Sequence, residues 1–126
     1  GSTKKKAFIF LKPVSESETD PMLEKEIEKH VNDHAKSTGW LQYKFVSPGK
    51  RGVPDRMYFY RSYCLMIEFK MLGRKPTALQ EKEMRLLRKA GIQCEIVDNV
   101  TEGRHLLDTL RYEQDEKAQK VPKVEN

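Results

Sequence analysis

The sequence predicts an α/β domain, a mixed sheet flanked by helices with elements in the order α-β-β-β-α-β-α. Three observations lead there. Two runs of alternating side chains, "DRMYFY" and "CLMIEFK", sit back to back around Arg61-Ser62-Tyr63 and read as a hairpin. Apolar residues at helical spacing recur before and after it, stopped by Gly39 and Gly91. A last apolar run, "IQCEIVD", follows the second of these helices, so it reaches the sheet by a helical crossover and lies parallel to a neighbour.

In chain order, Thr19-Asp20-Pro21 is a helix start, because Asp20 caps and Pro21 suits the first helical position. That helix runs to about Ser37. "LQYKFV" is a short strand in which Tyr43 and Phe45 alternate with Gln42 and Lys44, and "SPGKRGVP" is the turn that ends it. After the hairpin, "LGRKP" is a basic loop and "TALQEKEMRLLRKAG" a helix with Thr77 near its cap. "TEGRHLLDTLRYEQ" closes the fold as a helix. From about Asp115 the chain is polar without periodicity, and a frayed tail is expected. The implied organisation is an extension over 1–20, one domain over 21–112 and a tail over 113–126. Gly1-Ser2 resembles a cloning remnant, with Met22 as a candidate native start. There are no internal repeats.

The chain's 126 residues suffice for one core, and 37% hydrophobic with 34% charged residues describes a soluble globular protein. No apolar run approaches the roughly 20 residues of a membrane span, and no cleavage site follows the basic start. Cys64 and Cys94 both sit in strand-like apolar runs, outside any metal-ligand spacing. They read as reduced core thiols, which favours an intracellular, cytoplasmic setting. Net charge is +5, and the excess is concentrated. Residues 44–88 hold eleven Lys/Arg against four Asp/Glu, whereas 1–43 balance and 89–126 are slightly acidic. A basic middle on a neutral frame suits a polyanionic partner.

Within that basic middle, "GVPDRMYFYRSYCLMIEFKM" carries Asp55, Glu68 and Lys70 into an otherwise apolar hairpin. Alternation puts Met66, Glu68 and Lys70 on one face, and the hairpin fold brings Asp55 opposite Glu68. Two carboxylates meeting at one point raise one pKa unless a cation lies between them. Hard oxygen donors with no Cys or His favour Mg²⁺ or Mn²⁺ over Zn²⁺. Lys70, two residues on, can hold an attacking water or neutralise charge on a phosphate. The plain alternative is a wet polar face closed by an Asp55–Lys70 salt bridge.

"SPGKRGVPD", the hairpin, "IEFK" and the "TALQ" helix resemble the PD-(D/E)xK nucleases. More closely, they are similar to the virus-type replication-repair nuclease (VRR-NUC) branch in its short stand-alone form, over about residues 22–110. The resemblance implies a restriction-endonuclease-like core (αβββαβ). It also implies a metal-dependent deoxyribonuclease, with Asp55, Glu68 and the Phe69 carbonyl at the metal, Lys70 at the water and Gln80 in support. The family's helix-borne glutamate is carried over to Glu24, with Glu28 in reserve. Here periodicity assists: Leu23, Ile27, Val31, His34 and Ala35 form an apolar stripe, Glu24 falls inside it and Glu28 at its edge. Stand-alone members are similar to junction resolvases, which implies a homodimer acting on branched DNA such as four-way junctions.

Lys50, Arg51, Arg74 and Lys75 flank the acids on loops and suit phosphate contacts. His30 and His34, one helical turn apart, have the spacing of a metal clamp but no third ligand. Trp40, Tyr43 and Phe45 can stack bases, although at strand spacing they suit a core equally. The aromatics of "YFYRSY" or the first helix are candidate dimer surfaces. Rival readings are a restriction-type or exonucleolytic enzyme on the same core, and a non-catalytic DNA-binding module.

Overall fold

The computed structural model describes residues 22–120. The expected helix start at Thr19-Asp20-Pro21 and the extension over 1–20 lie outside them. Seven elements follow in the expected order: α1 (Glu24–Ser37), β1 (Leu41–Lys44), β2 (Arg56–Tyr60), β3 (Tyr63–Phe69), α2 (Ala78–Lys89), β4 (Gln93–Val97) and α3 (Val100–Lys120). The four strands form one sheet in the order β1-β2-β3-β4. β1–β2 and β2–β3 are antiparallel and β3–β4 is parallel, as the crossover through α2 requires. This is the mixed sheet with flanking helices that the pattern predicted.

The hairpin is tighter than expected. Tyr60 pairs with Tyr63 directly, leaving a two-residue turn of Arg61 and Ser62, both in the left-handed region at φ 49° and 66°. Such a primed turn matches the right-handed twist of the strands it joins. α2 opens with a reciprocal cap: Gln80 N donates to Thr77 Oγ1 at 3.1 Å, and Thr77 N donates to Gln80 Oε1 at 2.9 Å. α3 is capped by Asn99, whose Oδ1 accepts from Glu102 N at 2.8 Å.

Strand alternation divides the interior in two. Tyr58, Leu65, Ile67 and Phe69 point toward α1 and α3, where they meet Ile27, Val31, Ala35 and Leu107 in the larger core. Met66 and Cys94 point the other way and pack beneath Met84 of α2. Both cysteines are free thiols in apolar surroundings. Trp40 is core, 5.3 Å from the Tyr60 ring, and Phe45 packs into the smaller cluster; Tyr43 alone of the three candidate stackers is exposed.

α3 does not fray at Asp115 but continues to Lys120, so the boundary expected at 112/113 falls inside a helix. The residues there are good helix formers, and Asp115 is fastened. It accepts from Tyr60 Oη at 2.7 Å and from Arg61 Nε at 2.8 Å. Of the "YFYRSY" aromatics, Tyr58 is buried and Tyr60 and Tyr63 lie against the core, whereas Phe59 is partly open and stacks edge-on against the exposed Tyr43. No helix among the described residues is long and apolar enough to cross a membrane.

α3 packs tightly at Gly103, where an added Cβ would stand 2.5 Å from Val31 Cγ2 and 3.1 Å from Val97 Cγ1. Gly103→Ala must push α3 off α1 and the sheet. We expect it to cost about 1–3 kcal/mol despite alanine's better helix propensity, read as a lower urea midpoint at unchanged slope.

Candidate active site

The acids converge as the pattern required. β2 and β3 pair Arg56 with Ile67, so the next step of the ladder sets Asp55 opposite Glu68. Pro54, fully buried, fixes the backbone ahead of Asp55, and Phe45 N donates to the Asp55 carbonyl at 2.7 Å. Lys70 extends the sheet one residue past β3 through a 3.0 Å bond from its N to Val97 O. Gln80, in the first turn of α2, donates from Nε2 to Glu68 Oε2 at 3.2 Å while its Oε1 serves the helix cap. One amide thus ties the carboxylate to the end of α2.

Burial pushes the Glu68 carboxyl up to about 7, and the nearby Asp55 charge adds to the rise. Lys70 opposes it, while Glu24 and Glu28 add further negative potential. Four carboxylates and Lys70 thus act on one another here, with Lys44 beside Asp55 and Arg56 beside Glu28 as further cations. Asp55 itself pairs with Lys44 at 3.5 Å rather than with Lys70, so the plain Asp55–Lys70 salt bridge is not formed. Among the described residues Lys70 makes no ion pair.

Beside Asp55, between α1 and the β1–β2 edge, opens a cleft of about 720 Å³. Glu24, Glu28 and Lys25 line it from α1, Lys44 from β1, and Asp55 and Arg56 from β2. Glu24 is exposed there, not buried in the apolar stripe as periodicity suggested, because the packed stripe is Ile27, Val31 and Ala35. Glu28 is the more buried of the two and is bonded to Arg56 Nε.

Two comparisons with known proteins bear on this arrangement. A protein of Acyrthosiphon pisum secondary endosymbiont phage 1, named "Putative nuclease p44", is 40% identical over 77 residues, 60% of this chain and 83% of the phage protein. The chain belongs to the family of this phage protein. A solved VRR_NUC domain has the same fold, with a TM-score of 0.63 at 24% identity over 68% of this chain and 94% of that one. No family model matches the chain.

The remaining candidates of this domain divide clearly. Arg51, Arg74 and Lys75 are exposed on their loops, the latter two on a turn anchored by Gly73 N donating to Asp98 Oδ2 at 2.9 Å. Lys50 instead reaches back to the buried Glu83 of α2 at 3.9 Å, so a charge expected to be free for phosphate is already opposed. His34 Nε2 lies 2.8 Å from Asp108 Oδ1 of α3 and His30 is exposed, so the two histidines serve no common ligand. Among the described residues no three His, Cys, Asp or Glu side chains form a metal cage by themselves. Arg56 went unnoticed in the sequence, although its place directly after Asp55 in "GVPDR" was the available signal.

The raised carboxyl has a sign that can be checked. Folding takes up a proton at Glu68 between its ordinary value near 4.5 and about 7. The associated stability is therefore full below pH 4.5 and lost as pH rises through 7. In EDTA at pH 8, Glu68→Gln should be more stable than the parent by on the order of 1–3 kcal/mol, discounted for partial exposure. At pH 4.5 the two urea midpoints should coincide.

Proposed function

We propose that this domain is a metal-dependent, structure-selective DNA endonuclease that hydrolyses phosphodiester bonds. The observation that carries the reading is the meeting of Asp55 and Glu68 across the β2–β3 hairpin, with Lys70 beside them and Glu68 pushed to about 7. A carboxyl so disfavoured as an anion needs either a proton or a cation. Asp55, Glu68 and the Phe69 carbonyl, with Glu24 direct or through water, offer the hard oxygen set that suits Mg²⁺ or Mn²⁺. Such an ion would be held by one or two carboxylates and would keep several waters, so a cage of three acidic or histidine side chains is not required.

When bound, the ion lowers the pKa of a water and offsets charge on the phosphate. Lys70 would orient the attacking water and offset the negative charge its oxygen gains as it gives up a proton and adds to phosphorus. Phosphorus gains the water oxygen, one P–O bond breaks, and the leaving oxygen takes a proton. Gln80 holds Glu68 at the angle the site needs. Arg51, Arg74 and Lys75 grip the flanking backbone without reading sequence.

With Mg²⁺ or Mn²⁺ the protein should cut DNA, and with EDTA it should not. Asp55→Asn and Lys70→Ala should lose activity by at least roughly 100-fold with folding intact. Full activity in purified Lys70→Ala would remove this mechanism.

For the substrate we propose four-way junctions, cut by a homodimer. One such site cuts one strand, and a two-fold pair of identical sites matches the approximate symmetry of a junction. Light scattering at micromolar concentration should give twice the monomer mass, and junctions should be cut on two strands in preference to duplex. A monomer that cuts duplex equally well removes the junction and dimer readings and leaves the nuclease.

A further inference from the structure

Arg56 follows Asp55 immediately, but alternation turns the two apart. Asp55 faces Glu68, whereas Arg56 shares the parity of Tyr58 and crosses toward α1. There its Nε donates to Glu28 Oε2, and both side chains are largely withdrawn from water, at 22% and 15% exposure. Among the described residues the two Nη groups donate to no protein acceptor, and Arg56 lines the cleft beside Asp55. A guanidinium fixed through one nitrogen, with two more N–H-bearing groups left open, is a preorganised fork for phosphate oxygens.

We propose that Arg56 is a catalytic residue, donating from its Nη groups to the non-bridging oxygens of the scissile phosphate, and that Glu28 is the positioning residue that aims it. The inference rests on the nuclease reading above and adds a second cation with a different task. Lys70 sits with the acids and the water; Arg56 approaches from the α1 side and meets the charge that grows on the equatorial oxygens. It also divides the labour of the two helix acids. Glu28 is already engaged with Arg56, while Glu24 makes no ion pair among the described residues and remains open at the cleft. A simple helix–strand clasp explains this arrangement less well. A buried ion pair contributes little to stability relative to apolar packing, and a clasp has no need of a site beside the acids with donors left over.

The test compares wild type with Arg56→Lys, which keeps the charge and a partner for Glu28 but loses the fork, and with Arg56→Ala. Binding of a labelled four-way junction and of duplex DNA is measured in EDTA. Single-turnover cleavage of whichever DNA the wild type cuts is measured in Mg²⁺. Both variants should bind within about 3-fold of wild type, since one phosphate contact is a small part of the interface. Both should cleave roughly 100-fold or more slowly. Millimolar guanidinium should restore part of the rate to Arg56→Ala and none to Lys70→Ala. A sulfur in place of a non-bridging oxygen at the cut phosphate should slow wild type while adding no further loss to Arg56→Ala. Glu28→Gln should lower kcat at unchanged KM, and Mg²⁺ should shift its Tm as it shifts that of wild type. Should Arg56→Ala not fold, the rate and thio effect of Arg56→Lys decide. Cleavage by Arg56→Lys within 3-fold of wild type, loss of binding in step with rate, or a Glu28→Gln protein whose Tm no longer responds to Mg²⁺ would overturn the assignment while leaving the nuclease standing. A wild-type protein that cuts no DNA removes both.

Discussion

Tyr60 faces Tyr63 across a two-residue turn, and much of the candidate site depends on that register. Side chains alternate with period two, so a slip of one residue would send Glu68 into the α1–α3 core and bring Ile67 to the acid face. Burial enforces the pairing from both sides. Tyr58, Leu65, Ile67 and Phe69 must fill one core while Met66 fills the other. A carboxylate is thus placed at a point of low solvation because its neighbours along the strand leave it no alternative. Its raised pKa follows from that placement together with the Asp55 charge opposite.

α2 supplies the second constraint, since it touches both halves of the acid pair. Its first turn holds Glu68 through Gln80. One residue earlier, Leu79 lies so close to Gly52 that a Cβ there would come within 2.9 Å of its backbone. Gly52 also sits at φ 86°, so the position excludes a side chain on two independent grounds. Further along the helix, the buried Glu83 faces Lys50. The "SPGKRGVPD" segment is therefore pressed against the helix that fixes Glu68, which sets the backbone entering Asp55.

The hairpin, the helix before β4 and the Asp55–Glu68 meeting were legible in the sequence because each rests on local period and a stop signal. Helix stops at Gly39 and Gly91 and the Thr77 cap were legible for the same reason. Burial at a helix end was not. Glu24 shares the angle of the packed stripe but stands at the first position of the helix, ahead of Ile27, its first buried residue, and remains exposed. Charged partners were not legible either, since they come from distant elements. Lys50 meets Glu83, His34 meets Asp108 and Arg56 meets Glu28, none of them marked by sequence spacing. The length of α3 was missed because its final turns have no apolar stripe and owe their order to a tertiary contact at Asp115.

That contact joins residues 54 and 55 positions apart, the turn of the hairpin and the far end of the last helix. Chains emerge from the ribosome from the N-terminus, at roughly 5–20 residues per second. The strands bearing Asp55 and Glu68 are therefore exposed for several seconds before Asp115 exists to secure the turn between them. During that interval the left-handed backbone of Arg61 and Ser62 has only the strand ladder to maintain it. The tip of the hairpin consequently gains its last tertiary hydrogen bonds only after residue 115 has been made, although it lies near the middle of the chain.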